Sequence, residues 1–154
     1  MRFMTATGHA VIGTVIAASI ANPVVAIPVA VLSHIAADAF PHWDLGTNRA
    51  KKSENKFVSG AVIDLIASYA ITLLLVIFIF PKTNLVYAYI NVFAAQFFDW
   101  ASAPYVFLKI KTPPIFFYFY KFQKLFDNRL DKPWGVIGQV AILFALVFIV
   151  WKTF

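Results

Sequence analysis

Five apolar stretches alternate with short polar connections along the 154-residue chain. They cover residues 5–20, 23–40, 58–80, 85–108 and 134–151. A helix that crosses a bilayer needs about 20 apolar residues, with a range of about 17–25. The pattern therefore predicts five apolar helices, and the first two are short enough to be tilted or only partly inserted. Asn22-Pro23 and the Pro81–Asn84 connection are typical of tight turns between such helices.

The segment 109–132, "KIKTPPIFFYFYKFQKLFDNRLDK", combines basic and aromatic residues. Two prolines at 113 and 114 end the fourth stretch. A helix over 115–130 would carry phenylalanines on one side and lysines on the other, which is typical of a segment lying in the membrane interface. It would be either a simple connector or a surface that gathers lipid. The basic residues expected to contact anionic headgroups are Lys121, Lys124 and Arg129.

The composition supports a membrane protein. Hydrophobic residues make up 61% of the chain and charged residues 13%, whereas soluble domains carry roughly 25% charged residues. We therefore predict one integral-membrane domain over 1–154. Its fold class is all-α, a polytopic bundle of about five apolar segments plus one interfacial amphipathic helix. The alternative that the N-terminus is a signal peptide is less favoured, because His9 lies inside its apolar part.

The basic residues fall mainly on one side of the predicted bundle. Lys82 and Lys152 are the exceptions. The other basic residues precede the first apolar stretch, lie between the second and third stretches, or lie between the fourth and fifth. They are Arg2, Arg49, Lys51, Lys52, Lys56, Lys109, Lys111, Lys121, Lys124, Arg129 and Lys132. The positive-inside rule then predicts an inner-membrane protein with a cytoplasmic N-terminus. Because the net charge of +6 follows topology, nucleic-acid binding is disfavoured.

Polar residues gather at the predicted cytoplasmic ends of four stretches, most densely in "LSHIAADAFPHWDLG". A four-residue spacing places His34 and Asp38 on one helix face. Carboxylates inside a bilayer are costly, and no Lys or Arg lies within the first four stretches to neutralise them. A divalent cation would, and mixed imidazole and carboxylate ligands suit Zn, Mn or Fe(II). The chain has no cysteine. The candidates are His9, His34, Asp38, His42, Asp44, Asp64 and Asp99, with Gln96 as a supporting donor. Taken singly, each could instead be a capping or interfacial residue.

The motifs "TGHAVIG" and "LSHIAADAFPHWD" resemble those of predicted membrane-bound metal-dependent hydrolases, which are small multi-span proteins. The resemblance covers mainly residues 5–46. It implies a metal site that includes His9, His34, Asp38 and His42, with Asp44 as a further candidate. Many members also carry a later Gly-His-Arg…Thr-His element, which this chain lacks, so Asp64 and Asp99 would complete the site instead.

These observations lead to a first hypothesis of an integral-membrane hydrolase that uses one or two divalent ions, with zinc preferred over manganese or iron. Asp64 or Asp44 would act as general base or bridging carboxylate. The substrate would be a phosphoester of a membrane lipid or an isoprenoid phosphate. The alternatives are a divalent-metal transporter, a non-enzymatic metal-binding membrane protein, and a structural partner whose polar cluster only packs helices. Whether the chain forms a homo-oligomer is left open. The metal ligands in the first hypothesis are His9, His34, Asp38, His42 and Asp99.

Overall fold

The computed structural model describes residues 4–153, which form helices joined by short loops. The α-helices are α1 (Ala6–Ser19), α2 (Pro23–Ala39), α3 (Glu54–Phe78), α4 (Leu85–Ala95), α5 (Phe97–Phe107), α6 (Ile115–Gln123) and α7 (Trp134–Thr153), and a short 3₁₀ turn spans Arg49–Lys51. Within this described part, β-structure is limited to an isolated bridge between His42 and Arg129. The predicted all-α class is confirmed. Arg2, a predicted cytoplasmic residue, lies outside the described residues.

Polar residues in the connections fix where four helices begin. The side-chain oxygens of Thr5, Asn22, Ser53 and Asn84 each accept a hydrogen bond from a backbone N–H in the first turn of the helix that follows. Such caps satisfy N–H groups that have no partner inside the helix. The cap at Ser53 explains why α3 begins four residues before the apolar stretch predicted at 58.

The fourth predicted stretch, 85–108, is not one helix. Its backbone leaves helical geometry at Gln96, with φ −96° and ψ 8°, and this residue separates α4 from α5. The Gln96 side-chain amide donates to the carbonyl oxygen of Ala6 at 3.0 Å and to the hydroxyl of Ser68 at 3.1 Å. The break therefore lies where an amide ties the chain to α1 and α3.

The interfacial helix is shorter than the predicted 115–130. It ends at Gln123, and the following residues run beside the end of α2. Three backbone hydrogen bonds of 2.9–3.1 Å join the two segments. The N–H of Asn128 donates to the carbonyl oxygen of Asp38, that of His42 to the carbonyl oxygen of Asn128, and that of Leu130 to the carbonyl oxygen of His42. The helix therefore gives way to a turn over 124–126, and the backbone of 128–130 then runs alongside the end of α2 and the residues that follow it.

Helix α1 lies at the centre and packs against α2, α3, α4 and α7. Its contact with α4 is close, because a Cβ added to Gly13 would lie 2.8 Å from the Cα of Val92. Small residues allow helix backbones to approach in this way. The central position of α1 brings the residues of its first turns near the ends of several neighbours.

Within residues 4–153, α3 and α7 are long and apolar enough to cross a bilayer. Only 17% of the apolar window of α3 and 11% of that of α7 is buried inside the protein. Both helices therefore direct apolar side chains outward, unlike the core helix of a soluble domain. The apolar helices α1, α2 and α4 are shorter, at 14, 17 and 11 residues.

Candidate metal centre

Three helices bring four of the predicted ligands together. His9 lies in the first turns of α1, His34 and Asp38 in the last turns of α2, and Asp99 in the first turn of α5. The first three side chains are fully buried, and Asp99 retains 24% exposure. The four-residue spacing in α2 places His34 and Asp38 on one face, as the sequence suggested. We call these four residues the His–Asp cluster.

Asp38 lies between the two histidines of the cluster. Its Oδ1 is 3.3 Å from His9 Nε2, and its Oδ2 is 3.4 Å from His34 Nε2. His34 Nε2 is also 3.8 Å from Asp99 Oδ1, and the imidazole rings of His9 and His34 stack with centroids 4.0 Å apart. One potential ligand atom from each of His9, His34 and Asp99 lies within 4.8 Å of the other two. This spacing suits a single ion.

Neighbouring groups orient the cluster. His34 Nδ1 lies 2.7 Å from the carbonyl oxygen of Ala95, so Nδ1 carries a proton and the neutral imidazole has its lone pair on Nε2. The backbone N–H of Met4 donates to Asp38 Oδ1 at 2.8 Å, and Gln123 Nε2 donates to Asp99 Oδ1 at 3.1 Å. Backbone and amide partners of this kind are what orient ligands in known metal sites.

The donor set fits a cation. Neither ring nitrogen of His9 has a hydrogen-bond partner within the described residues, and the same is true of Asp38 Oδ2. No described Lys or Arg pairs with Asp38 or Asp99. A buried polar atom without a partner destabilises the fold, and a buried carboxylate does so more strongly. A divalent ion at this position would satisfy these lone pairs and compensate the negative charge.

His42 and Asp44 lie next to the cluster in a second group. His42 Nδ1 is 2.7 Å from the carbonyl oxygen of Phe40, and its Nε2 is 3.7 Å from Asp127 Oδ1. Arg129 Nε lies 3.4 Å from Asp127 Oδ2 and 3.8 Å from Asp44 Oδ1. Burial raises the pKa of Asp127 above its ordinary value, and the Arg129 guanidinium opposes that rise. The predicted ligand His42 thus faces Asp127, outside the compact group formed by His9, His34 and Asp99.

Asp64 caps α1. Its Oδ2 accepts a hydrogen bond from the Ala6 N–H at 2.7 Å, and its Oδ1 accepts from the N–H and the hydroxyl of Thr7 at 3.2 and 2.6 Å. Both oxygens are therefore occupied in anchoring the helix that carries His9. Gln96 likewise binds α1 and α3, and its amide donates to Ala6 and Ser68 instead of Asp99.

The basic residues predicted to contact headgroups differ in their surroundings. Lys121 and Lys124 lie over aromatic rings of α6, with Nζ 5.4 Å from the centroid of Phe117 and 4.3 Å from that of Tyr120. Arg129 instead donates to the carbonyl oxygen of Gly46 at 2.9 Å and faces Asp44 and Asp127. Its guanidinium therefore belongs to the group around His42.

Two residues of the site were missed by sequence reasoning. Gln123, fully buried, bridges Asp99 and His34, whose Nε2 lies 3.3 Å from its amide nitrogen. Asp127 reaches His42 only because the chain leaves α6 and turns back along α2. The one available signal was a lone amide in the aromatic run "IFFYFYKFQ".

Comparison of the chain with family models, curated proteins and solved structures gave no match.

Proposed function

We propose that the protein is an integral-membrane, metal-dependent hydrolase of the kind that its N-terminal motifs resemble. It would act at the cytoplasmic face of the inner membrane on a phosphoester of a lipid or lipid-like substrate. The observation that carries the proposal is the buried His–Asp cluster, in which both ring nitrogens of His9 and the Oδ2 atom of Asp38 have no hydrogen-bond partner among the described residues. Apolar faces of α3 and α7 directed outward support a bilayer location, and we propose that the shorter helices complete a bundle of about five.

The ligands would be His9, His34, Asp38 and Asp99, with zinc as the first choice of metal. When bound, the ion would lower the pKa of water toward 7 and compensate the charge of a phosphoester. The chain itself would fix the tautomer of His34 through the bond to Ala95, and Gln123 would contact both His34 Nε2 and Asp99. His42, beside Asp127, could contribute to a second ion.

Asp44 and Asp64 are the two candidates for the general base, and Asp44 is the one that we propose. Asp44, Asp64 and Asp99 all line one cavity beside the cluster. Asp64 already accepts three hydrogen bonds from α1 through its carboxylate oxygens. Asp44 accepts a hydrogen bond from the Thr47 hydroxyl and faces Arg129, and neither contact anchors a helix as those of Asp64 do. Asp44 is therefore the candidate that we take as the base.

Metal analysis of the purified protein tests this proposal. We expect one or two divalent ions per chain in the wild type and a loss of metal in the double variant His34→Ala, Asp38→Ala. Asp131→Asn, a change of an exposed loop carboxylate, is the control and should retain the metal. Metal-dependent turnover of a phospholipid and phosphoester panel should then be lost in Asp99→Asn. If the double variant held as much metal as the wild type, the proposed metal centre would be contradicted.

Transport of a divalent metal is the second candidate, and a column of polar side chains favours it. Gln96 donates to the hydroxyl of Ser68, the hydroxyl of Thr72 donates to the Ser68 carbonyl, and the hydroxyls of Thr14 and Thr72 lie 3.2 Å apart. Asn91 is also fully buried. The column leads from the cluster into the core of α1, α3 and α4. Metal uptake into proteoliposomes without turnover would support transport over hydrolysis.

A further inference from the structure

A cavity of about 120 Å³ opens beside Asp99, between α3 and α5. This volume is several times the about 10–15 Å³ that one water molecule requires. Most of its wall is apolar, and the polar residues in the wall include Asp44, Asp64, Gln96 and Asp99. The apolar side chains that matter here are Leu45, Phe57, Ala61, Leu65, Trp100 and Ala103.

The cavity has a polar end and an apolar end. On α3, Asp64 follows Phe57 by seven residues, which is about 10 Å along a helix axis. On α5, Asp99 precedes Phe107 by a similar distance, and the rings of Phe57 and Phe107 stack with centroids 5.6 Å apart. The carboxylates therefore mark one end, next to the His–Asp cluster, and the phenylalanine pair marks the other, where the Arg49 guanidinium covers the Phe57 ring.

We infer that this cavity holds a hydrocarbon chain of an amphiphilic substrate, with the polar group of that substrate next to Asp99. This inference rests on the proposed function, since it places the reacting group beside the cluster. An apolar wall offers no hydrogen bonds to a sugar or a peptide, whereas it stabilises an alkyl or prenyl chain by removing it from water. Val62, Ile63 and Ile66 on the outer face of the same part of α3 are exposed and apolar, so the cavity lies one helix away from the proposed bilayer.

Trp100 provides the readout, because it lines the cavity. The wild-type protein in phosphatidylcholine nanodiscs is titrated with ω-bromooctyl phosphate, whose bromine quenches tryptophan fluorescence on contact. We expect a saturable quenching component that disappears in Trp100→Phe. Ala103→Leu, which fills the cavity, should raise the half-saturating concentration by about tenfold or more. For uncharged ω-bromooctanol, Ala103→Leu should raise the half-saturating concentration by a similar factor.

Ala67→Leu is the matched control, because it makes the same change at an exposed position of α3. It should leave the titration unchanged. Elution profile and metal content establish that each variant is folded. Quenching that is not saturable, or that Ala103→Leu and Ala67→Leu affect equally, would overturn the inference. Saturable quenching without any turnover would support the cavity as a binding site and contradict the proposed hydrolase activity. Turnover with no saturable quenching would support the hydrolase activity and contradict the binding site.

Discussion

Asp64 shows how a single carboxylate can be structural in a site where the sequence suggests catalysis. It accepts hydrogen bonds from the backbone of Ala6 and Thr7 at the start of α1, where the helix dipole favours a negative charge. Asp64→Asn removes that charge and one acceptor. We expect the free energy of unfolding to fall by about 1–3 kcal/mol, measured by thermal or denaturant unfolding in detergent, with the metal retained.

Asp131→Asn is the control for this prediction, because the hydrogen bonds that Asp131 accepts from Asn48 and from the Lys132 N–H are exposed to solvent. It should leave unfolding nearly unchanged. If Asp64→Asn unfolded like the wild type yet lost turnover, Asp64 would be the general base and its assignment as an anchor would be wrong.

At this scale the sequence identifies part of the candidate site. The spacing of His34 and Asp38 places both on one face of α2, and the structure joins them to His9 and Asp99. Gln123 could not be found in this way, since its contacts depend on how α6 crosses the ends of α2 and α5. Such a crossing is decided by packing among aromatic side chains, which no local pattern encodes.

Among the helices, the contact between α1 and α4 sets the position of His9. Gly13→Ala would place a Cβ 2.8 Å from the Cα of Val92 and 2.9 Å from the carbonyl oxygen of Asn91. Backbone atoms cannot yield as a flexible side chain can, so we expect a loss of stability of about 1–3 kcal/mol, with weaker metal binding. Unfolding curves and metal analysis would measure both effects.

Gly138→Ala provides the comparison, because its added Cβ would meet Phe40 at an ordinary 3.7 Å. Replacing a helical glycine there should be neutral or stabilising by up to about 1 kcal/mol. Equal stability of the two alanine variants would contradict the close contact between α1 and α4.

The apolar pattern predicts helix positions well where each helix is a continuous stretch. The bounds of α1, α2 and α7 lie within two residues of the predicted ones. It fails at Gln96 and after Gln123, where amides inside apolar runs bind partners on other helices. A hydropathy pattern records how apolar a residue is and carries no information about such a distant partner.

For the whole molecule, basic side chains gather at one end of the helices. Residues 49–52 and 109–111 carry basic side chains at the end of the bundle where α3 begins and α5 ends, and Arg49 and Lys109 both pair with Glu54. The His–Asp cluster lies near the ends of helices that the positive-inside rule assigns to the cytoplasm. The side of the membrane on which the cluster lies therefore depends on the direction in which the helices cross the bilayer.

The absence of cysteine in the chain makes that topology measurable. Single substitutions Lys51→Cys and Lys82→Cys place a thiol at exposed positions in the two loops that flank α3. Because the 25 residues of α3 suffice to cross a bilayer, we expect a membrane-impermeant maleimide added to spheroplasts to label residue 82. Residue 51 should be labelled only after permeabilisation, and the unmodified chain should not react. Labelling of both positions from one side would mean that α3 does not cross the membrane. Reversed labelling would place the His–Asp cluster at the outer face and exclude a cytoplasmic substrate.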